Sequence, residues 1–345
     1  MLTEIRQQPA ALAATLGAVR PMHQELRQVA RPTDRVVLFA RGSSDTAATY
    51  GRYLLEIIAG RPAALGAPSV ATLYRSPLDL STTLAVLCSQ SGQTSELVEV
   101  ADWARGRGAR IVGVTNDASS PLARAVDVAV ITQAGAETAV PATKSHTTCL
   151  LALAELALAL TPTGDNRRAA LLESVREIPG EVSRLLAVTE EVEVVARRLT
   201  RAKAFCVTGR GFTYPTALEV ALKVEETSAV PCLGLSQADL QHGPLAVLGA
   251  DTPVVVAAAA DGPTLPGLTS LAAAARSRGA PVIVLGGDDR LAGRADDVLA
   301  GPRLPEALVP VALVVVGQVF AEALSRFRGG FPDQPLGLTK VTQTS

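Results

Sequence analysis

Short apolar runs recur along the chain, each ending in glycine or hydroxyl residues and followed by a longer helical pattern. RVVLFARGSS, Thr83–Cys88, Arg110–Thr115 and Val126–Thr132 read as strands. Ala47–Gly60, Thr94–Arg107, Pro121–Ala125 and Thr143–Leu160 read as the helices between them. Near-continuous apolar strands alternating with helices predict an α/β fold, with a parallel sheet covered on both faces. Residues 1–30 show a polar and an apolar side and read as a helix.

After a charged helical connector, Arg167–Thr200, the same grammar restarts. AFCVTGRGFTYPTALE repeats VLFARGSSDTAATYGR as strand, glycine turn and helix, with Gly42 and Gly211 in equivalent places. Leu84–Gly92 (LAVLCSQSG) is matched by Val254–Gly262 (VVVAAAADG), and the two spacings agree within about one residue, the mark of an internal duplication. Two tandem αβα sandwich domains are therefore expected, over residues 1–165 and 166–345. The repeat is asymmetric: the first copy has SQSGQTSE where the second has AAAADGPT. Hydroxyls present in one copy and absent from the other point to a ligand rather than to folding.

Leu304–Leu324 has the look of a membrane span, but its apolar part, Ala307–Phe320, contains Pro310 and Gln318 and falls short of the ~20 apolar residues a span needs. A buried helix of a layered protein is the expectation. With 345 residues, 48% apolar and 19% charged, the chain is long and apolar enough for two folded domains. A net charge of −1 without a basic cluster speaks against nucleic-acid binding. Cys88, Cys149, Cys206 and Cys232 lack metal-site spacing, so reduced buried thiols and no metal are expected. The charged start, MLTEIRQQP, has no signal-peptide core, and a cytoplasmic protein is the expectation.

Candidate chemistry concentrates at the strand ends, where open α/β sheets bind ligands. CSQSGQTSE (Cys88–Glu96) leaves a strand and opens a helix whose N-terminal N–H groups favour an anion. Ser89, Ser91 and Thr94 add hydroxyl donors and Gly92 allows close backbone approach, a set suited to a phosphate monoester. An ordinary N-cap accounts for one of those hydroxyls, not all. GxxxxGK[ST] and GxGxxG are both missing, which turns the reading away from nucleotides. RGSSD (Arg41–Asp45) ends the preceding strand. It offers Ser43 and Ser44 to the same pocket, with Ser44 or Asp45 as a plain helix cap the equal alternative.

In ALEVALKVEETS, helical spacing puts Glu219, Lys223 and Glu226 on one face and Glu225 elsewhere. Such a ladder is either a solvated salt-bridge face or, near a strand-end glycine, a tuned acid–base group. His242, in DLQHGPLAVL, precedes Gly-Pro in a loop and can exchange protons near neutral pH. His23 and His146 sit in helical segments and read as structural. Lys340 lies in the tail, where Leu336, Leu338 and Val341 suggest docking.

ARGSSD, SQSGQTSE, AGAETAVPATKS, GRGFTYPTALEVALKVEETS, QHGPLAV and PLGLTKVT run in order over nearly the whole chain. In these motifs the sequence resembles the sugar isomerase (SIS) domain family: the isomerase half of glutamine–fructose-6-phosphate amidotransferase and the stand-alone type II glucosamine-6-phosphate deaminases. The resemblance implies tandem flavodoxin-like domains and a phosphate site at Ser44, Ser89, Gln90, Ser91 and Thr94. It implies a proton-shuttling Glu226 supported by Lys223 and Glu219, a ring-opening His242 offered across a homodimer, the C-terminal Lys340, and a backbone sugar contact at Val140. It calls for no metal or cofactor.

Asp239, Gln241, Glu225 and Ala142 depart from the family's usual residues, which bears on substrate identity. The chain begins Met-Leu rather than Met-Cys and enters its first sheet strand near Val36, so no glutaminase activity is expected of it. The expected activity is a phosphosugar aldose–ketose isomerase or deaminase, converting glucosamine 6-phosphate to fructose 6-phosphate and ammonia. A deglycase of another sugar-phosphate amine adduct and a non-catalytic phosphosugar-binding protein are the alternatives.

Overall fold

The computed structural model describes residues 1–340. Strands β1 (Arg35–Phe39), β2 (Ala63–Leu65), β3 (Thr83–Cys88), β4 (Arg110–Thr115) and β5 (Val128–Ile131) form one sheet in the order β2-β1-β3-β4-β5. Strands β6 (Phe205–Gly209), β7 (Cys232–Ser236), β8 (Val254–Ala258), β9 (Val282–Gly286) and β10 (Asp297–Leu299) form a second, in the order β10-β9-β8-β6-β7. Every strand pairing in both sheets is parallel. Read from β7, the second sheet repeats the 2-1-3-4-5 order of the first, the flavodoxin-like winding. All residues of β3, β6 and β8 are buried, as strands covered on both faces must be.

The chain divides into two compact units. The first holds β1–β5 and comprises Ala10–Glu137 and Lys144–Arg176; the second holds β6–β10 and comprises Met1–Pro9, Thr138–Thr143 and Glu177–Lys340. This differs from a single cut at 165–166: the main crossing lies at Arg176–Glu177, and two short segments belong to the second unit. Buried polar bonds account for both. Gln8 Nε2 donates to Gln318 Oε1 at 2.8 Å, and Gln318 Nε2 donates to the Thr143 carbonyl at 3.2 Å. The expected single N-terminal helix is thus broken into Leu2–Arg6, Gln8–Val19, a 3-10 turn Arg20–Met22 and His23–Ala30, with Pro9 and Pro21 near the breaks.

In the first unit, helix Ser95–Gly106 packs Leu97, Val100, Ala101 and Ala104 against Ala85, Leu87 and Ile111 of the sheet. Helix Lys144–Leu160 is buried at every residue, Glu155 included. That carboxylate takes two bonds from Arg20 (2.6 and 2.8 Å) and faces His23 Nε2 at 2.7 Å. Burial pushes its carboxyl up, but the bonds from His23 and Arg20 outweigh burial and hold it below the usual range.

In the second unit the apolar helix Val309–Phe327 is buried from Val309 to Ser325, as expected of a core helix. It lies along helix Tyr214–Ser228, and a Cβ at Gly317 would fall 2.1 Å from Val220 Cγ2. Glycine at 317 therefore sets how closely these two helices approach.

Candidate active site

The loop after β3 is a cup of hydroxyls fixed by backbone bonds. The Ser89 N–H donates to the Val114 carbonyl of β4 at 3.0 Å, and the Gln90 carbonyl accepts from the Asn116 N–H at 3.0 Å. Gly92 has φ +60°, and a Cβ there would lie 2.3 Å from Ser120 Oγ, so only glycine makes this turn without displacing the wall. Ser89 Oγ accepts the Gly92 N–H at 3.1 Å and Ser91 Oγ the Gln93 N–H at 3.2 Å. A hydroxyl that accepts in this way still has its own proton to donate. Thr94 occupies the N-cap of helix Ser95–Gly106, yet its side chain caps nothing. The plain-cap explanation of these hydroxyls is therefore not realised.

At the end of β1 the following helix starts at Ser43, four residues earlier than the sequence pattern suggests. Gly42, at φ +56°, is its N-cap and no side chain caps it, so neither Ser44 nor Asp45 plays that part. The Ser43 carbonyl accepts from Thr46 Oγ at 2.8 Å and from His146 Nδ1 at 3.0 Å, which gives His146 the structural role expected of it. Sequence reasoning passed over Arg41. Its Nε and Nη2 reach Glu96 Oε2 and Oε1 at 3.0 and 2.7 Å, joining the end of β1 to the first turn of helix Ser95–Gly106. The Glu96 carboxylate raises the Arg41 guanidinium pKa further. An ion pair thus flanks a cup whose lining residues carry no charge.

The equivalent loop of the second unit is different in kind. A Cβ at Gly262 would fall 2.6 Å from Glu306 Oε2, so a carboxylate sits against this strand end. Burial, aided by the Asp261 charge, raises the Glu306 carboxyl above its ordinary range. An anion placed there would meet like charges. A cavity of about 680 Å³ opens beside it at the ends of β8, β9 and β10, lined by Asp261, Gly286, Gly287 and Arg303 among others. None of the sequence-predicted site residues lines it.

Glu219, Lys223 and Glu226 share one face of helix Tyr214–Ser228, and the face is not solvated. Glu219 and Lys223 are fully buried and Glu226 is mostly so. Lys223 Nζ lies 3.5 Å from Glu219 Oε1 and donates to Glu226 Oε2. Burial alone would lower the lysine pKa; the two carboxylates reverse this and hold it raised. Burial pushes the Glu226 carboxyl up. Lys223 opposes the rise, Glu219 adds to it and Lys340 opposes it, and the pKa remains raised. Glu225 points away, accepting the Cys232 N–H at 3.2 Å.

The Lys340 charge thus reaches Glu226, and Leu336 and Leu338 do not dock as expected of the tail but are exposed. Val341 lies outside the described residues. The Val140 N–H donates to the Asp333 carbonyl at 2.9 Å, which leaves its carbonyl as the backbone group to meet a ligand. His242 is exposed just past helix Gln237–Gln241, and no side-chain hydrogen bond joins it to the Glu219–Lys223–Glu226 group among the described residues. Asp239 serves that short helix locally, accepting from Ser236 Oγ at 2.6 Å.

A duplicated parallel α/β fold thus carries a hydroxyl-lined strand end in one copy and a buried Glu–Lys–Glu ladder in the other. The chain belongs to the SIS domain family, which it matches over residues 31–159 and 198–323. It is 36% identical to glutamine–fructose-6-phosphate aminotransferase (isomerizing) of Thermus thermophilus over 355 residues, covering 99% of this chain and 58% of that one. The chain spans a little over half the length of the curated relatives it matches. Its structure resembles the C-terminal domain of glucosamine-fructose-6-phosphate aminotransferase from Francisella tularensis, with TM-score 0.90, 27% identity and coverage of 97% of this chain and 98% of that one. It shares its fold with glucosamine-6-phosphate deaminase from Thermotoga maritima, with TM-score 0.79, 24% identity and 99% of each chain covered.

Proposed function

We propose that the chain is a phosphosugar isomerase–deaminase that converts glucosamine 6-phosphate and water to fructose 6-phosphate and ammonia. The observation that carries this reading is the burial of Glu219, Lys223 and Glu226 as one charged group with Lys340 beside it. Keeping two carboxylates and a lysine out of water is costly, and functional sites are where such groups concentrate.

In this reading the hydroxyl cup of Ser89, Ser91 and Thr94, with Gln90, Ser43 and Ser44, holds the 6-phosphate on a helix N-terminus. His242 assists ring opening. The Glu226 carboxylate takes the proton from C2 and returns it to C1. The enolamine formed on the way becomes an imine at C2, and water replaces its nitrogen, leaving the ketone and ammonia. The raised Glu226 pKa suits this exchange, because a base near the working pH both takes and returns a proton. Lys223 keeps enough of the carboxylate form available.

His242 is exposed, with Leu233 and Val247 exposed in neighbouring segments, and this supports a homodimer in which it serves the partner's site. The test is to incubate purified protein with glucosamine 6-phosphate and follow ammonia and fructose 6-phosphate. Glu226→Gln is expected to abolish turnover while leaving substrate affinity within a few-fold; a fully active variant would sink the reading.

A further inference from the structure

The hydroxyls after β3 have counterparts at the end of the neighbouring strand. β1 and β3 pair side by side, Phe39 beside Leu87, and the order β2-β1-β3-β4-β5 reverses direction between them. The loops leaving these two strands therefore open into one crevice, the place where open α/β sheets bind ligands. Ser43 and Ser44 begin helix Ser43–Ile57 there, and both are half-buried.

No side chain caps this helix start, and its N-cap is Gly42 at φ +56°. The Ser44 N–H donates to the Arg41 carbonyl at 3.1 Å, the Asp45 N–H to the Gly42 carbonyl at 2.9 Å and Thr46 Oγ to the Ser43 carbonyl at 2.8 Å. Those bonds join close neighbours. They shape the turn but travel with it, so they do not fix where it stands in the crevice. Arg41 reaches Glu96, yet its side chain is 49% exposed, and an exposed ion pair constrains weakly.

His146 supplies a bond of another kind. It lies in the first turn of helix Lys144–Leu160, 103 residues from Ser43, and is buried. Its Nδ1 is 3.0 Å from the Ser43 carbonyl oxygen; a carbonyl only accepts, so Nδ1 carries the proton. Further along the same two helices, a Cβ at Gly51 would lie 3.3 Å from Leu153 Cδ1. Gly51 is about two turns beyond Ser43, and Leu153 about two turns beyond His146. The helices thus run side by side in the same direction. Close packing at Gly51 sets how near they lie, and the His146 bond holds the first turn.

We propose that His146 is a positioning residue for phosphate binding: by holding the Ser43 carbonyl it places the Ser43 and Ser44 hydroxyls in the crevice. The proposal rests on the reading of those hydroxyls as phosphate ligands. Removing the imidazole N–H leaves the Ser43 carbonyl still bonded by Thr46, so no acceptor is orphaned. What is lost is a link from the turn to a separate helix. A hydroxyl must stand within a narrow range of distance and angle to donate to a phosphate, so a shift of the turn shows in affinity before it shows in stability.

The experiment measures the Kd of fructose 6-phosphate by calorimetry, and the urea midpoint, for wild type, H146N, H146L, H146Q, S43A/S44A and S43A/S44A/H146L. Asparagine sets an amide N–H where Nδ1 stood but loses volume. Leucine keeps the volume and loses the donor. Glutamine carries its amide to the place of Nε2, away from the carbonyl. H146L and H146Q are expected to weaken binding about ten-fold, the scale of a misplaced hydrogen bond to a charged group. H146N is expected to bind as wild type does, even with a lower urea midpoint. In the S43A/S44A background H146L is expected to weaken binding no further, because the groups it acts through are gone. H146N as weak as H146L would make His146 a packing residue and overturn the proposal. Wild-type affinity in H146L overturns it too, as does a loss in H146L that adds in full to that of S43A/S44A. H146Q carries the comparison if H146L does not fold. Wild-type affinity in S43A/S44A, or no binding by the wild-type protein, overturns instead the reading on which the proposal rests.

Discussion

Two buried carboxylates with basic partners show how the same residue type is set to different ends. Glu155 takes two short bonds from Arg20 and faces His23, and its pKa is lowered. Glu226 has Lys223 close by, but burial and Glu219 leave its pKa raised. The first arrangement is a lock; the second leaves a carboxyl that holds its proton more readily than usual. For Glu155 the folded-state pKa is depressed, so its contribution to stability is present above the ordinary carboxylate range and is lost as pH falls through the folded value. Removing one member of such a buried pair costs about 3–5 kcal/mol, because the partner charge is left uncompensated. Glu155→Gln is therefore expected to destabilise the first unit at neutral pH, and the gap between its urea midpoint and that of wild type should narrow as pH is lowered. A gap that widens toward acid would contradict the assignment. Glu155 was not singled out in the sequence, because nothing in ALAELALAL says that Arg20 and His23 will meet it.

Among the elements, the start of helix Ser95–Gly106 shows how a helix-start position differs from one that shapes the turn before it. Thr94 stands at the N-cap without capping, whereas Ser89 Oγ holds the Gly92 N–H that shapes the turn. The two hydroxyls should respond differently to removal. Thr94→Val keeps the shape and loses no bond within the protein, so its unfolding free energy should stay within about 0.5 kcal/mol of wild type. A lost hydrogen bond to a charged phosphate is worth about 1.5–3 kcal/mol, which predicts an affinity loss for sugar 6-phosphate of roughly ten-fold or more by calorimetry. Ser89→Ala is expected to lower both stability and affinity. Equal affinity in Thr94→Val and wild type would count against the hydroxyl cup as the phosphate site. The element-scale reading of the sequence was close here: β3 and β4 run as anticipated, and the cup lies at the end of β3.

At the scale of the whole molecule, the two copies keep one winding and differ at their strand ends. The first presents hydroxyls after β3, while the second sets the Glu306 carboxylate against Gly262, with Asp261 adding to its raised pKa. Like charge makes that second end a poor host for phosphate. A homodimer with His242 serving the partner makes a further prediction. H242A and E226Q protomers, each inactive, should regain about a quarter of wild-type activity when mixed and re-equilibrated, since half the two-fold dimers are then mixed and each restores one of two sites. Activity that stays at the level of the parents would place both residues in a site served by one chain.

The sequence by itself determined the sheets and the duplication and marked the candidate site residues, because strand burial, glycine turns and helical spacing are local signals. CSQSGQTSE and ALEVALKVEETS carry their residue types and spacing in a dozen positions or fewer. It did not determine whether Glu219 and Lys223 meet water, since a solvated ladder and a buried one have the same spacing. Burial by the surrounding fold decided that. Nor did it indicate that Glu4 meets Thr138, that Val140 meets Asp333, or that Arg41 bridges to Glu96, since those partners lie between 55 and 193 residues apart. Bonds of that range have no sequence period; only the tertiary structure, by bringing distant backbone groups within reach, decides which side chain satisfies them.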